Sequence, residues 1–264
     1  MNLSGLTRLP RSAGTHVLRM VAPRLLWKMH LHMWNWGTPD AEMKLLPYLC
    51  DRRKTSVDIG ACLGIYTMGM LCYSRDCVAF EARPDRAADL RTTFRMMKAP
   101  VTVHPVALSD RAQTTQLRIC RSDLGLTTIS QDHPLEGAVD TVEVRTQPLD
   151  AYGLADVGCI KIDVEGHEEA VLTGAEKTLR GSVPNLIIEL DDRRNPGRIA
   201  SVRQRLRGLG MRGFFVHSGQ LRPIEEFDAG LWQRQDAVPY LCNFIFVPQG
   251  RTGRLPRSRS PQLS

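Results

Sequence analysis

No stretch of these 264 residues comes near the roughly 20 consecutive apolar positions that a membrane-spanning helix requires. The N-terminus also lacks a continuous apolar segment followed by a small-residue cleavage site, the mark of a secretory leader. Cysteine occurs seven times, at 50, 62, 72, 77, 120, 159 and 242, but the count is odd and no two stand as C-x-x-C. No disulfide framework or zinc ribbon is indicated; several of these thiols sit in apolar runs, where a free thiol packs as a small hydrophobe. A reducing cytoplasm is the expected setting. Acidic residues are missing from 1–39 and again from 249–264. These two stretches hold nine of the 35 basic residues and none of the 28 acidic ones, so the net charge of +7 belongs to the ends. The chain between them is close to neutral, and nucleic acid is not an expected partner. The basic ends are either solvated or in weak contact with a membrane surface.

What is present is a composition of 42% apolar and 24% charged residues, enough for one large core with extensions. Residues 1–39 read as a basic, partly helical extension, 40–248 as the domain proper and 249–264 as a disordered basic tail. Within the extension, VAPRLLWKMHLHMWNW (21–36) is dense in Trp, Met and His. A helix packed on the domain, or a lid over its pocket, accounts for it; His30 and His32 as metal ligands are the other reading. Asp40–Leu49 reads as a helix.

The stretch that organises the rest is SVDIGACLGIYT (56–67). Val57 and Ile59 flank Asp58, and Gly60-Ala61-Cys62-Leu63-Gly64 leads into Ile65. The pattern predicts a buried strand ending at Ile59, a tight turn and a helix from about Gly64. Glycine at 60 and 64 admits a close approach of backbone to another group. Asp58 falls at the carboxyl end of the strand, where open α/β sheets bind ligands. One strand later, Cys77–Glu81 closes on a second acid, placed to accept the two hydroxyls of a ribose. A nicotinamide site expects G-x-G-x-x-G directly after the strand, whereas here the acid precedes Gly-x-x-x-Gly. The stretch is either plain α/β architecture or a nucleoside-cofactor pocket.

Strands and helices then alternate: helix Ile65–Tyr73, strand Val78–Glu81, helix Asp85–Met97 and strand Val101–Pro105. Such alternation predicts a mostly parallel twisted sheet with helices on both faces. Thr114–Cys120 and Val139–Thr146 alternate as a hairpin-like insertion around a long polar loop. In CIKIDVEGHE (159–168), Ile160 and Ile162 face one way along a strand and Lys161 and Asp163 the other. A helix is predicted over His167–Leu179, a strand over Pro184–Leu190, a helix over Ile199–Leu209, and late antiparallel strands over Phe214–His217, Gln220–Pro223 and Asn243–Val247.

With these pieces in their order, the chain resembles the FkbM family of S-adenosylmethionine (SAM)-dependent methyltransferases. VDIGACLGIYT (57–67), AFEARP (79–84), VHPVALSD (103–110), Leu149-Asp150, IKIDVEGHEEAVLTGAEKTL (160–179), PNLIIE (184–189) and NFIFV (243–247) carry the likeness. It departs at Ala82, where the family has Pro, and at Thr92 and Thr93, where it tends to carry Asn. The resemblance implies a Rossmann-like class I methyltransferase fold and transfer of a methyl group to a hydroxyl, commonly on a sugar or a polyketide. It also implies that Asp58, Gly60, Ala61, Gly64 and Thr67 surround the methionine part of SAM, that Glu81 holds the ribose, and that Val106 and Ala107 lie along the adenine.

An alcohol needs help losing its proton as it attacks a sulfonium methyl. The candidates cluster after the fourth parallel strand. Asp163 is the expected neighbour of methyl and acceptor oxygen, His167 the titrating base, and Glu165 either a further acid or the group that orients His167 or Lys161. An ion pair of Lys161 with Glu165 or Glu189 is the other expectation. Asp163, Glu165, Glu189 and Asp191 also suggest an oxygen-ligand site for a magnesium-like ion. A nucleic-acid methyltransferase is the next enzyme reading, although amino-methylating enzymes of that kind typically show a Pro-Pro-Tyr/Phe-type motif where Asp-Val-Glu-Gly stands. A SAM-binding module without catalysis is the remaining alternative. The acceptor expected is a glycan or small molecule such as a glycolipid or a nodulation-factor sugar, shaped for by Trp34, Trp36, the 121–137 loop and the His217–Gln220 turn.

Overall fold

A computed structural model describes residues 41–123 and 125–256. A short 3₁₀ turn (Ala41–Leu45) and α1 (Leu46–Leu49) precede β1 (Thr55–Ile59), α2 (Ile65–Leu71), β2 (Asp76–Phe80), α3 (Pro84–Met96) and β3 (Val101–His104). The insertion follows as β4 (Ala107–Leu108), β5 (Gln113–Cys120), β6 (Thr127–Thr128) and β7 (Val139–Gln147). Then come β8 (Val157–Ile162), α4 (Glu168–Gly174), α5 (Glu176–Ser182), β9 (Asn185–Glu189) and α6 (Arg198–Gly208). The chain ends with β10 (Met211–His217), β11 (Gln220–Pro223), α7 (Ala229–Trp232) and β12 (Asn243–Pro248).

Eight strands form one sheet in the order β11-β10-β12-β9-β8-β1-β2-β3. β3, β2, β1, β8 and β9 run parallel, while β12 enters antiparallel between β9 and β10. All residues of β1 and of β8 are buried, as expected of strands covered on both faces. The two faces separate by alternation. Val57, Ile59, Ile160, Ile162, Leu186 and Ile188 pack with Val171, Leu172, Leu179, Val202 and Leu206 of the later helices. On the opposite face, Cys159, Ile187 and Ile245 meet Leu46, Leu49, Tyr66 and Met70. α3 lays Leu90 and Phe94 on Ala79 and Val103. Each such fully buried large apolar side chain contributes roughly 2 kcal/mol.

The expected α/β sheet with helices on both faces and late antiparallel strands is the architecture found. Three local readings change. The helix predicted over His167–Leu179 breaks at Ala175 into α4 and α5. The break has a tertiary cause: the Asp150 carboxylate accepts the amides of Lys177 and Thr178 at 2.8 Å, capping α5 from another segment. The insertion is a four-stranded sheet, β4-β7-β5-β6, since two-residue strands leave no periodicity to read. Ordered structure also runs past 248: a 3₁₀ turn spans Gln249–Arg254 and buries Leu255 against Ile187, Ile245 and their neighbours. The extension 1–39, with His30, His32, Trp34 and Trp36, and residues 257–264 lie outside the described residues. Among the described residues no helix is long and apolar enough to cross a membrane.

Strand order reverses between β1 and β8, which opens a crevice at their carboxyl ends. The two ends are drawn together beyond the strands, because Asp163 N–H donates to Ile59 O at 2.9 Å. Gly60 makes this approach possible. At φ +82° it sits where a Cβ would lie 1.8 Å from the Asp163 carbonyl oxygen. Gly60→Ala should therefore destabilise the fold by more than about 3 kcal/mol, by strained φ plus overlap. Gly197→Ala, at φ +83° but with open space around it, should cost about 1 kcal/mol. Thermal unfolding midpoints of the two variants check the contrast.

Candidate active site

Asp58 is 1% exposed and Thr67 is buried above it on α2, its hydroxyl donating to Asp58 Oδ2 at 2.5 Å. Burial lifts the Asp58 carboxyl to about 6, against the opposing pulls of the Thr67 bond and the nearby Lys161 charge. In register beside Asp58 stands Lys161 on β8, also 1% exposed. Its ammonium donates to Asn243 Oδ1 at 2.9 Å and pairs with Asp163 at 3.5 Å and Glu189 at 3.8 Å. It also lies 4.9 Å from the centroid of the Tyr66 ring. The pairing with Glu189 is one of the two expected; Glu165 takes other partners.

Beyond β1 the turn closes onto β2. Gly60 and Ala61 both donate to Phe80 O, at 2.9 and 3.1 Å. Gly64 has a packing cause: a Cβ there would lie 2.8 Å from Leu90 Cδ2 and 3.1 Å from Phe94 Cζ of α3. Glu81, 4% exposed, accepts the Cys62 amide on Oε2 at 2.6 Å and the Arg83 amide on Oε1 at 2.8 Å. Burial raises its pKa while these two amides lower it. Each carboxylate oxygen has taken one donor and retains capacity for a second, the requirement for holding a vicinal diol. The Cys62 thiol, which accepts from the Arg86 guanidinium, is pushed up to about 11 by burial. Val106 and Ala107 are buried after β3. Beside Val106 lies a groove of about 460 Å³ walled by His104, Tyr152, Arg91 and Arg145. His104 stacks on Phe80 at 5.1 Å, and Tyr152 contacts both rings.

After β8 the backbone makes two left-handed steps, Glu165 (φ +49°) and Gly166 (φ +89°). Asp163 remains one-third exposed, the most accessible of the acids at 58, 81 and 163. Glu165 Oε2 meets Arg194 Nη1 at 3.3 Å and His133 Nε2 at 3.4 Å. Burial, then the charge of Asp163, holds the Glu165 carboxyl well above the usual carboxylate range. His133 is pushed down to about 4 by burial and by the Arg194 charge. His167 points elsewhere: its Nε2 bonds Ser109 Oγ at 2.9 Å, and burial lowers its pKa.

The structure thus brings Asp58, Thr67, the 60–64 turn, Glu81 and Asp163 to three adjacent strand ends. Glu165 is drawn to Arg194 and His133, and His167 to Ser109, the residue after β4. Asp163, Glu165 and Glu189 offer oxygens within 4.8 Å of one another. They fit magnesium poorly, because the Lys161 ammonium already sits against two of them. Asp191 serves its own turn, accepting the Arg193 amide at 2.9 Å. By contrast the donor set fits SAM, with a glycine turn, a diol-accepting acid and a stacked aromatic wall. Sequence reasoning missed His133, Arg194 and Asn195. Asn243 carried a faint signal, as the first residue of NFIFV opposite Glu189.

Strand order, switch-point crevice and acid-tipped strands define a class I, Rossmann-like methyltransferase fold. Residues 58–212, more than half the chain, match the family model of the methyltransferase FkbM domain, and the chain belongs to that family. A solved FkbM methyltransferase from Methylobacillus flagellatus shares 15% identity at a TM-score of 0.51 over 75% of this chain and 44% of that one. The chain therefore spans less than half the length of that relative. SMU.1697c of Streptococcus mutans, solved with S-adenosylhomocysteine, shares 12% identity at a TM-score of 0.48 over 78% and 96%. An rRNA methylase of Streptococcus thermophilus shares 13% at 0.44 over 78% and 91%. No curated protein matches the chain.

A buried neutral histidine has a consequence for stability. Between pH 6.5 and 4 the unfolded chain takes up a proton at His133 while the folded chain does not. Folding thus loses up to about 3 kcal/mol from this group as pH falls through that window, and nothing above it. His133→Gln should remove that loss and leave the other titrating groups in place. Urea unfolding at pH 7 and 4.5 measures the difference; equal acid loss in both proteins assigns the effect elsewhere.

Proposed function

We propose that this protein is a SAM-dependent O-methyltransferase acting on a hydroxyl of a sugar, in a glycolipid, a signalling oligosaccharide such as a nodulation factor, or a related natural product. Seven unpaired thiols support a reducing cytoplasm as its setting. The observation that carries the reading is Glu81, a carboxylate with one amide on each oxygen, one strand from the Gly60 turn and two from Asp163.

In this reading Asp58, Gly60, Ala61, Gly64 and Thr67 form the wall around the methionine part, Asp58 and Thr67 acting through the turn they stiffen. Glu81 accepts the two ribose hydroxyls, and Val106 and Ala107 flank the adenine. SAM, when bound, supplies an electrophilic methyl on a sulfonium. The task left to the chain is alignment of an acceptor oxygen with that methyl, and removal of the oxygen's proton. Asp163, the accessible acid, accepts the hydroxyl proton or holds the hydroxyl by hydrogen bond. Glu165 and His167 are the two further candidates for the base. Glu165 is the nearer to Asp163, and its raised pKa suits proton exchange near neutrality.

Calorimetry with SAM, followed by label transfer from SAM to a panel of hydroxylated glycans, tests the proposal. Absence of SAM binding would sink it; binding without transfer to any acceptor would favour a sensor module. Glu81→Gln should weaken SAM binding about 10- to 100-fold, the loss of roughly one charged hydrogen bond or two. Asp163→Asn should bind SAM normally and lose at least about 100-fold in kcat; full turnover in that variant removes Asp163 from the chemistry. Activity that survives chelation agrees with the seat already taken by Lys161.

A further inference from the structure

The insertion between β3 and β8 reaches the acceptor side of the crevice. Thr128 Oγ1 on β6 donates to the carbonyl of Glu165 at 2.6 Å. Arg118 Nη1 on β5 donates to the carbonyls of Ser130, Gln131 and His133, at 2.9, 3.3 and 3.1 Å, and so fixes the shape of the loop. That shape carries His133 into the protein, where only 1% of it meets solvent. Asn195 Nδ2 lies 3.0 Å from His133 Nδ1. With the amide donating, the single proton of the neutral ring is on Nε2. Nε2 has no hydrogen-bond partner among the described residues, and the atom it faces is Glu165 Oε2 at 3.4 Å. Arg194 approaches the same oxygen at 3.3 Å. Gly166 leaves the room for the ring, since a Cβ there would lie 2.7 Å from His133 Nδ1. Glu165 in turn stands within 4.8 Å of Asp163.

Two segments far apart in sequence, at His133 and at Arg194, therefore converge on the Glu165 carboxylate beside the acid assigned to the acceptor. We propose that His133 is a positioning residue for methyl transfer: with Arg194 it pins Glu165 next to Asp163, so that an acceptor hydroxyl meets a fixed pair of carboxyl groups only when the insertion is docked. This rests on the reading of the crevice as the site of an O-methyltransferase. His133 touches Glu165 and not the acceptor, so it acts through that residue. The insertion is then part of the acceptor site, and its docked loop sets which hydroxyl can approach.

The test uses the full chain with histidine labelled with ¹⁵N and SAM added, and methyl α-L-fucopyranoside and methyl β-D-glucopyranoside as acceptor probes. The His133 ring should show the Nε2–H tautomer with a solvent-protected proton, and Glu165→Gln should shift its signals. His133→Ala should lower kcat on a probe about 10- to 100-fold, the scale of a misplaced reacting group. Its SAM dissociation constant should stay near wild type. His133→Gln, which keeps an amide donor facing Glu165, should recover most of that kcat. An unchanged kcat in His133→Ala overturns the inference, as does a failure of Gln to rescue. If the wild type binds SAM but methylates neither probe, or if the Ala variant does not fold, the ring spectrum decides. An Nδ1–H ring, or one insensitive to Glu165→Gln, overturns the inference and leaves the methyltransferase reading standing. A wild type that binds no SAM overturns that reading and this inference with it.

Discussion

Lys161 brings an ammonium group to a point where 1% of its side chain meets solvent, beneath a row of carboxylates at the sheet's carboxyl edge. Removing such a charge from water costs several kcal/mol. A pair at 3.5 to 3.8 Å returns about 4 to 5 kcal/mol at an effective dielectric of about 20. One acid would barely offset the desolvation; two acids, the Asn243 amide oxygen and the face of Tyr66 make the burial favourable. The dependence runs both ways. Asp58, Asp163 and Glu189 lie on neighbouring strands and would repel one another across the crevice without a cation between them. The acidic edge that serves the site is stable because the lysine is there.

The same ammonium stands where a metal ion would have to sit. Oxygen ligands within 4.8 Å of one another are what a hard divalent ion requires, and the acids at 163, 165, 189 and 191 suggest such a set from sequence alone. In three dimensions the positive charge is already supplied by β8 itself, and Asp191 has turned away to receive backbone amides.

Legibility in the sequence followed the range of the interactions. Strands β1, β8 and β9 were readable because burial on both faces leaves continuous apolar runs, and Asp58 and Asp163 because each acid interrupts such a run near its end. The glycines were readable as close approaches, but not what they approach: Gly60 meets the Asp163 carbonyl, and Gly64 meets α3. The helix break at Ala175 was hidden because its cause, Asp150, lies 27 residues from the amide it caps. His133 was hidden more deeply. A histidine in a polar loop carries no period, and its burial depends on Arg118 gathering three carbonyls across the insertion.

These ranges explain why the chain announces its methyl donor and is silent on its acceptor. The proposed donor side is assembled mostly within residues 58–81, where a strand, a turn, a helix and the next strand are consecutive, so local pattern and local geometry coincide. The proposed acceptor side draws Thr128, His133, Glu165, Arg194 and Asn195 from three separate regions. Its shape is set by contacts between segments whose sequences, taken alone, read as a loop, a turn and another loop. A donor common to many enzymes can be met by a fixed local device. Selection of one hydroxyl among many requires a surface adjustable without disturbing that device, and under the proposed O-methyltransferase reading the insertion, docked through a few polar contacts, would be that surface.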